Sequence, residues 1–97
     1  MTDQVIVSRN PSVIAWFREK GIEGSVLEYA RIEDILHKRV YGLVPYWMGA
    51  YATNVSEITM PHLDKSDRDR FNRGELTVQE MDHAGAEIVT YQVTRRS

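Results

Sequence analysis

The chain has 97 residues, of which 42% are apolar and 27% charged, with a formal net charge of −2 and no cysteine. That length suits one domain over residues 1–97 with a single modest core, burying roughly 60–70% of the surface its unfolded form exposes. The charge excludes broad binding to long nucleic acid, the missing cysteines exclude disulfides and thiolate metal sites, and no apolar run reaches the roughly 18 residues of a membrane span.

Residues 4–8, QVIVS, are short and rich in Val and Ile, and read as a buried strand. Asn10 is a good N-cap and Pro11 suits the first helical position, so a helix follows, with Val13, Ile14, Trp16 and Phe17 on its apolar face and Gly21 at its end. Residues 25–30 read as a second strand, and residues 31–37 as a helical turn with Ile32, Ile35 and Leu36 inward. Residues 39–44 make a third strand that Pro45 stops, and residues 46–55 a second helix. Gly49 weakens that helix, since glycine costs about 1 kcal/mol relative to alanine in a helix interior.

Residues 57–63 are a fourth strand, in which Pro61 implies an edge, a bulge or an early end. Residues 64–75, DKSDRDRFNRGE, are a charged and partly helical connection. Thr77 and Glu80 have capping-box spacing and open a short third helix that runs through Met81 and Ala84 and stops at Gly85. Residues 86–94, with Ile88, Val89, Tyr91 and Val93, close the chain as a fifth strand.

Strands alternating with helices predict an α/β domain with a mainly parallel sheet of about five strands and helices on both faces. In such sheets ligands bind in the crevice beyond the carboxyl ends of the strands. Residues 8–12, 45–47 and 62–73 fall there.

Each of these segments has a plain reading and a functional one. Ser8, Arg9 and Asn10 lead into a helix N-terminus, where amides and the helix dipole favour an anion and Arg9 adds a bidentate phosphate contact. In the plain reading Asn10 only caps the helix and Arg9 is solvated. The segment is not a P-loop, because it lacks the glycines and the lysine. Arg68, Arg70 and Arg73 alternate with Asp64, Asp67 and Asp69, which makes either a self-neutralising loop or a rim that grips phosphate, with Gly74 turning Arg73 over the crevice. Trp47 and Tyr51 lie four apart, with Tyr46 before them, and serve a core, a dimer contact or a stacked base. His62 sits near a strand end and is either a general acid or base or a structural residue. His37, His62 and His83 have no ligand spacing, so no metal is expected.

The stretch VSRNPSVIAWFREKGI resembles the N-terminal signature V-S/T-R-H-P-G-A-x-x-W-L of a small CRISPR-associated family of type III systems, the sixteenth of the Csx series. RVYGLVPYWMGAYA resembles its V-x-G-x-L-P-x-x-x-A segment, and RFNRGELTVQEM its R-G-x-E-L-T/S-x-x-E-L pattern, in the same order along nearly the whole chain. The resemblance implies a single Rossmann-like domain akin to CRISPR-associated sensor domains. It further implies a homodimer that binds cyclic oligoadenylate, most simply the tetramer, and a ring-nuclease activity that cleaves this messenger and ends the immune signal. A cytoplasmic location is expected separately, because MTDQVIV shows no secretory signal.

The positions matching the family are Ser8, Arg9, Pro11, Trp16, Gly42, Pro45, Arg73, Gly74, Glu75 and Leu76, with Trp16, Gly42 and Leu76 structural. The expected catalytic set is Ser8, Arg9, Asn10 and Arg73. The expected ligand contacts add Ser12, Pro45, Tyr46, Trp47, His62, Arg70 and Glu75. No cofactor is expected. Asn10 stands where the family has histidine, and Ser12 where it has glycine. Asparagine does not act as an acid or base near neutral pH but orients a phosphate or hydroxyl. Three readings follow: a metal-independent enzyme, a protein that binds the ring without turnover, and an interaction protein sharing only the scaffold.

Overall fold

The computed structural model describes residues 3–96. Its elements, in chain order, are β1 (Gln4–Val7), α1 (Pro11–Glu19), β2 (Ser25–Leu27), α2 (Ile32–Ile35), β3 (Arg39–Gly42), α3 (Tyr46–Gly49), β4 (Asn54–Thr59), α4 (Lys65–Asn72), α5 (Val78–His83) and β5 (Glu87–Tyr91). The strands form one five-stranded sheet in the order β2-β1-β3-β4-β5. The first four are parallel, and β5 returns antiparallel along β4. The domain is therefore α/β with a mostly parallel sheet, as the alternation of elements predicts.

Alternation along each strand divides the core. Val5 and Val7 of β1, Val40 of β3 and Val55 of β4 pack with Ile35 of α2 and Met48 of α3. Ile6, from the opposite side of β1, packs with Trp16 and Phe17 of α1, Leu76 and Met81, with Tyr41 and Ile58 against them. Side chains of this kind contribute about 1.5–3 kcal/mol each on burial. Trp16, only 2% exposed, donates its indole N–H to Asp82 at 2.9 Å and so belongs to the framework.

Several boundaries differ from the sequence reading. The second strand stops at Leu27, and Glu28 and Tyr29 are exposed loop. The turn over residues 31–37 is helical only for Ile32–Ile35, and Leu36 is exposed rather than inward. The chain reverses there, with His37 at φ 59°. The helix expected over residues 46–55 is the single turn Tyr46–Gly49, and Asn54 and Val55 already belong to β4. Pairing with Arg39 and Val40 of β3 takes those two residues into the sheet. Pro61 lies just past β4, which ends at Thr59. The fifth strand is shorter than expected, Glu87–Tyr91.

The charged connection folds as α4, capped by Asp64, whose carboxylate accepts from the Asp67 N–H at 2.8 Å. Thr77 and Glu80 form the reciprocal capping box of α5. Arg70 clasps the two helices together, donating from Nη1 and Nη2 to the two Glu80 carboxylate oxygens. The Arg70 hydrogen bonds, followed by the Thr77 amide, lower the Glu80 pKa from 4.5 to about 2. A carboxyl whose pKa falls on folding stabilises the protein above its unfolded pKa, and this stabilisation is lost as pH falls through the folded value. Glu80→Gln is therefore expected to flatten the loss of thermal stability between about pH 4.5 and pH 2, measured as melting temperature against pH. An unchanged slope would show that the clasp is not what acid breaks.

Candidate functional site

Strand order reverses between β1 and β3, the place where an open α/β sheet forms a crevice. Two local features shape it here. First, β3 leaves the sheet at Gly42, whose φ is 129° and whose site for a side chain is filled by the Val7 carbonyl. Second, β4 outlasts β3: their pairing ends at Tyr41 with Ser56, while Glu57, Ile58 and Thr59 continue with only β5 beside them. The crevice thus opens over the end of β3, between the exit of β1 and the overhanging part of β4.

At the β1 exit the Ser8 N–H donates to the Leu27 carbonyl at 3.0 Å, and Ser8 Oγ accepts from the Asn10 N–H at 3.0 Å. Asn10 Oδ1 accepts from the Ser12 N–H at 2.9 Å, the N-cap read from sequence. Its Nδ2 donates to the Phe71 carbonyl near the end of α4 at 2.8 Å. Both ends of the amide are thereby engaged, and Asn10 is a cap and a staple. Ser12, expected among the ligand contacts, is 3% exposed and donates its hydroxyl to the Leu76 carbonyl at 2.7 Å. Gly74, at φ 73°, lies so close to Pro11 that an added Cβ would stand 2.5 Å from Pro11 Cδ. The start of α1 and the end of α4 form one packed unit.

Arg9 is the side chain of this junction that architecture does not use. It is exposed, and its guanidinium lies over the Tyr29 ring, 5.1 Å from the centroid. No described carboxylate lies within ion-pair distance of it. A contact of this kind at an exposed site is worth about 0.5–1 kcal/mol, which leaves the cation available to an anion. Across the crevice Arg73 donates from Nε to Glu75 at 2.8 Å, a pair more than half exposed on both sides. A surface pair of this kind is worth at most about 1 kcal/mol and exchanges readily.

The resulting cleft has a volume of about 620 Å³. Ser8, Arg9, Asn10 and Arg73 line it together, over an apolar floor of Val7, Phe17, Ile58 and Phe71. Glu28 and Glu57 add two carboxylates to its walls. A second cleft of about 770 Å³ lies beside it, its walls including Leu43, Pro45, Tyr46, Glu57, Tyr91, Gln92 and Val93. Leu43 and Glu57 border both. Burial and, after it, the neighbouring Glu57 carboxylate push the Tyr91 phenol above its ordinary value.

The other expected site residues divide between these clefts and the framework. Pro45 and Tyr46 line the second cleft, and Tyr46 is 88% exposed. Trp47 and Tyr51 share a smaller hollow of about 450 Å³ with Val93 and Arg95. Arg70 faces Glu80 and Asp67 instead of either cleft. Glu75 reaches the site only through Arg73. His62 is exposed beyond β4, its backbone N–H donating to the Ala84 carbonyl and its ring lying against Gly85, and it borders neither cleft.

Tyr29, Glu28, Leu43 and Glu57 were not anticipated. The only signal for Tyr29 and Glu28 was an early end to the second strand. Glu57 reaches the crevice because β4 runs past β3, which is a property of pairing register and not of local sequence. Among the described residues no cluster of His, Asp or Glu is arranged to hold a metal ion, and no helix is long and apolar enough to cross a membrane. No protein-family model, curated protein or solved structure matches the chain.

Proposed function

We propose that this chain is a Rossmann-like ring nuclease that binds cyclic oligoadenylate, most simply the tetramer, and cleaves it without a metal. The observation that carries the reading is Arg9, an exposed cation at the switch point of the sheet with no carboxylate partner among the described residues and with Arg73 on the same cleft. A phosphodiester is the ligand such a pair of guanidinium groups fits, since each offers paired donors to phosphate oxygens. The resemblance of VSRNPS and the RGEL stretch to the CRISPR-associated family supplies the identity of the nucleotide.

The chemistry follows from what the cleft offers. A ribose 2′-oxygen attacks its own 3′-phosphorus. The bond to the neighbouring 5′-oxygen breaks, the 2′-hydroxyl proton passes to solvent, and the 5′-oxygen takes up a proton. The product is a linear adenylate ending in a 2′,3′-cyclic phosphate. Arg9 and Arg73 stabilise charge on the phosphoryl oxygens and hold the ring so that attack is in line. A cleft of about 620 Å³ is of the size that takes a drug-sized ligand, smaller than a four-nucleotide ring. A twofold homodimer resolves the mismatch by presenting two copies of Arg9 to opposite phosphates.

A second reading, binding without turnover, is favoured by Asn10: its amide is held by Ser12 and Phe71 and replaces an ionisable side chain. Radiolabelled cyclic tetra-adenylate incubated with the protein in EDTA separates the readings. Linear product with a cyclic phosphate end is expected. Retained but intact ring would leave the second reading standing, and absence of binding would overturn both.

A further inference from the structure

The two large clefts are not independent, because Leu43 and Glu57 border each of them. The loop after β3 carries Leu43, which is 78% exposed, along the boundary between them. The first cleft holds Arg9 and Arg73, with Glu28 and Glu57 in its walls, and the second is mainly apolar and aromatic, with Gln92 and Glu57 as its polar side chains. The pair therefore has the polarity of a nucleotide: phosphate beside the guanidinium groups, base on the other side. Tyr46, 88% exposed, and Tyr91, 46% exposed, offer ring faces in the second cleft, while Pro45 and Val93 supply flat apolar walls. Glu57 is the single carboxylate among the residues that border the second cleft, and it stands on the overhanging part of β4. A carboxylate accepts hydrogen bonds and donates none.

We infer that the second cleft is a base-recognition site for an amino-bearing purine, in which Glu57 accepts from the exocyclic amine while Tyr46 stacks on the ring. The inference rests on the adenylate reading above and extends it from the phosphates to the base. It makes Glu57 a specificity residue. The Tyr91 phenol beside it satisfies one part of the carboxylate, and the base amine supplies the further donor that replaces lost water, so a purine without the amine leaves that oxygen unpaired and is rejected. Stacking itself tolerates any base. Discrimination therefore resides in Glu57 and affinity in Tyr46.

The test compares cyclic tetra-adenylate with the same ring built from purine riboside, which lacks only the 6-amino group. The full wild-type chain is expected to bind the adenylate ring at least about tenfold more tightly, as a hydrogen bond to a charged group predicts. Glu57→Ala should bring the two affinities together, and Glu57→Gln, which keeps an acceptor oxygen, should retain most of the preference. Tyr46→Ala should weaken both rings alike. Equal affinity of the wild-type chain for the two rings would overturn the inference and leave the adenylate reading intact. Binding of neither ring would overturn both. Because the first comparison needs no variant, it stands even if a substitution on β4 unfolds the protein.

Discussion

Arg9→Ala is expected to lower affinity for cyclic tetra-adenylate by about a hundredfold, and cleavage by at least as much, with the melting temperature lowered by only a few degrees. A hydrogen bond to a charged group is worth about 1.5–3 kcal/mol, so even one arginine–phosphate contact per protomer accounts for about tenfold to a hundredfold. The stability cost is small because the contact of Arg9 with Tyr29 is an exposed cation–π pair worth about 0.5–1 kcal/mol. Arg9→Lys keeps the charge but loses the fork of parallel donors, and should fall between the two. The assay is cleavage in EDTA together with equilibrium binding, on protein shown to be folded by circular dichroism. A folded Arg9→Ala protein that binds and cleaves like the wild type would remove this cleft from consideration.

Gly42→Ala is expected to destabilise the protein by about 3 kcal/mol or more. Two causes combine. The φ of 129° lies where side chains are strongly disfavoured, and the Cβ would sit 2.0 Å from the Val7 carbonyl oxygen. Backbone on both sides cannot give way as a flexible side chain would. Gly21 is the matching control: its φ is 83°, and nothing lies within 4 Å of the position its Cβ would take. Gly21→Ala should cost only the left-handed backbone penalty, about 1–2 kcal/mol. Urea denaturation of both variants checks the difference. If the two cost the same, the close approach of β3 to β1 is not what forms the crevice floor.

Much of this architecture was legible in the sequence, and the parts that were not share a cause. The Asn10 cap, Pro11 at the first turn and the Thr77–Glu80 box are chemistry between neighbours, and each stands where the sequence put it. The strand cores announced themselves through runs of Val and Ile. The helix expected over residues 46–55 failed because Asn54 and Val55 are claimed by pairing with β3, an interaction with residues far along the chain. Arg70 was read as a phosphate ligand because its neighbours alternate in charge, but its partner is Glu80, ten residues on and one helix away. Ser12 was expected among the ligand contacts because it stands at the start of a helix in the crevice; its hydroxyl is instead taken by Leu76, sixty-four residues later, while Asn10 lines the cleft and is also held by Phe71. Arg9 and Arg73 line one cleft, as the crevice rule predicted from the order of strands and helices. Glu57 was missed because its position depends on how far β4 outruns β3.

The staple between Asn10 and Phe71 links the site to α4, a helix with no fully buried residue. Such a helix belongs to the segments that open without unfolding the whole. When α4 opens, Arg73 leaves the cleft, Asn10 loses a partner, and Gly74 parts from Pro11. The two cations therefore line one cleft in the form with this helix in place. A ligand that bridges Arg9 and Arg73 binds the closed form alone, and by that preference suppresses the opening and slows amide exchange along α4.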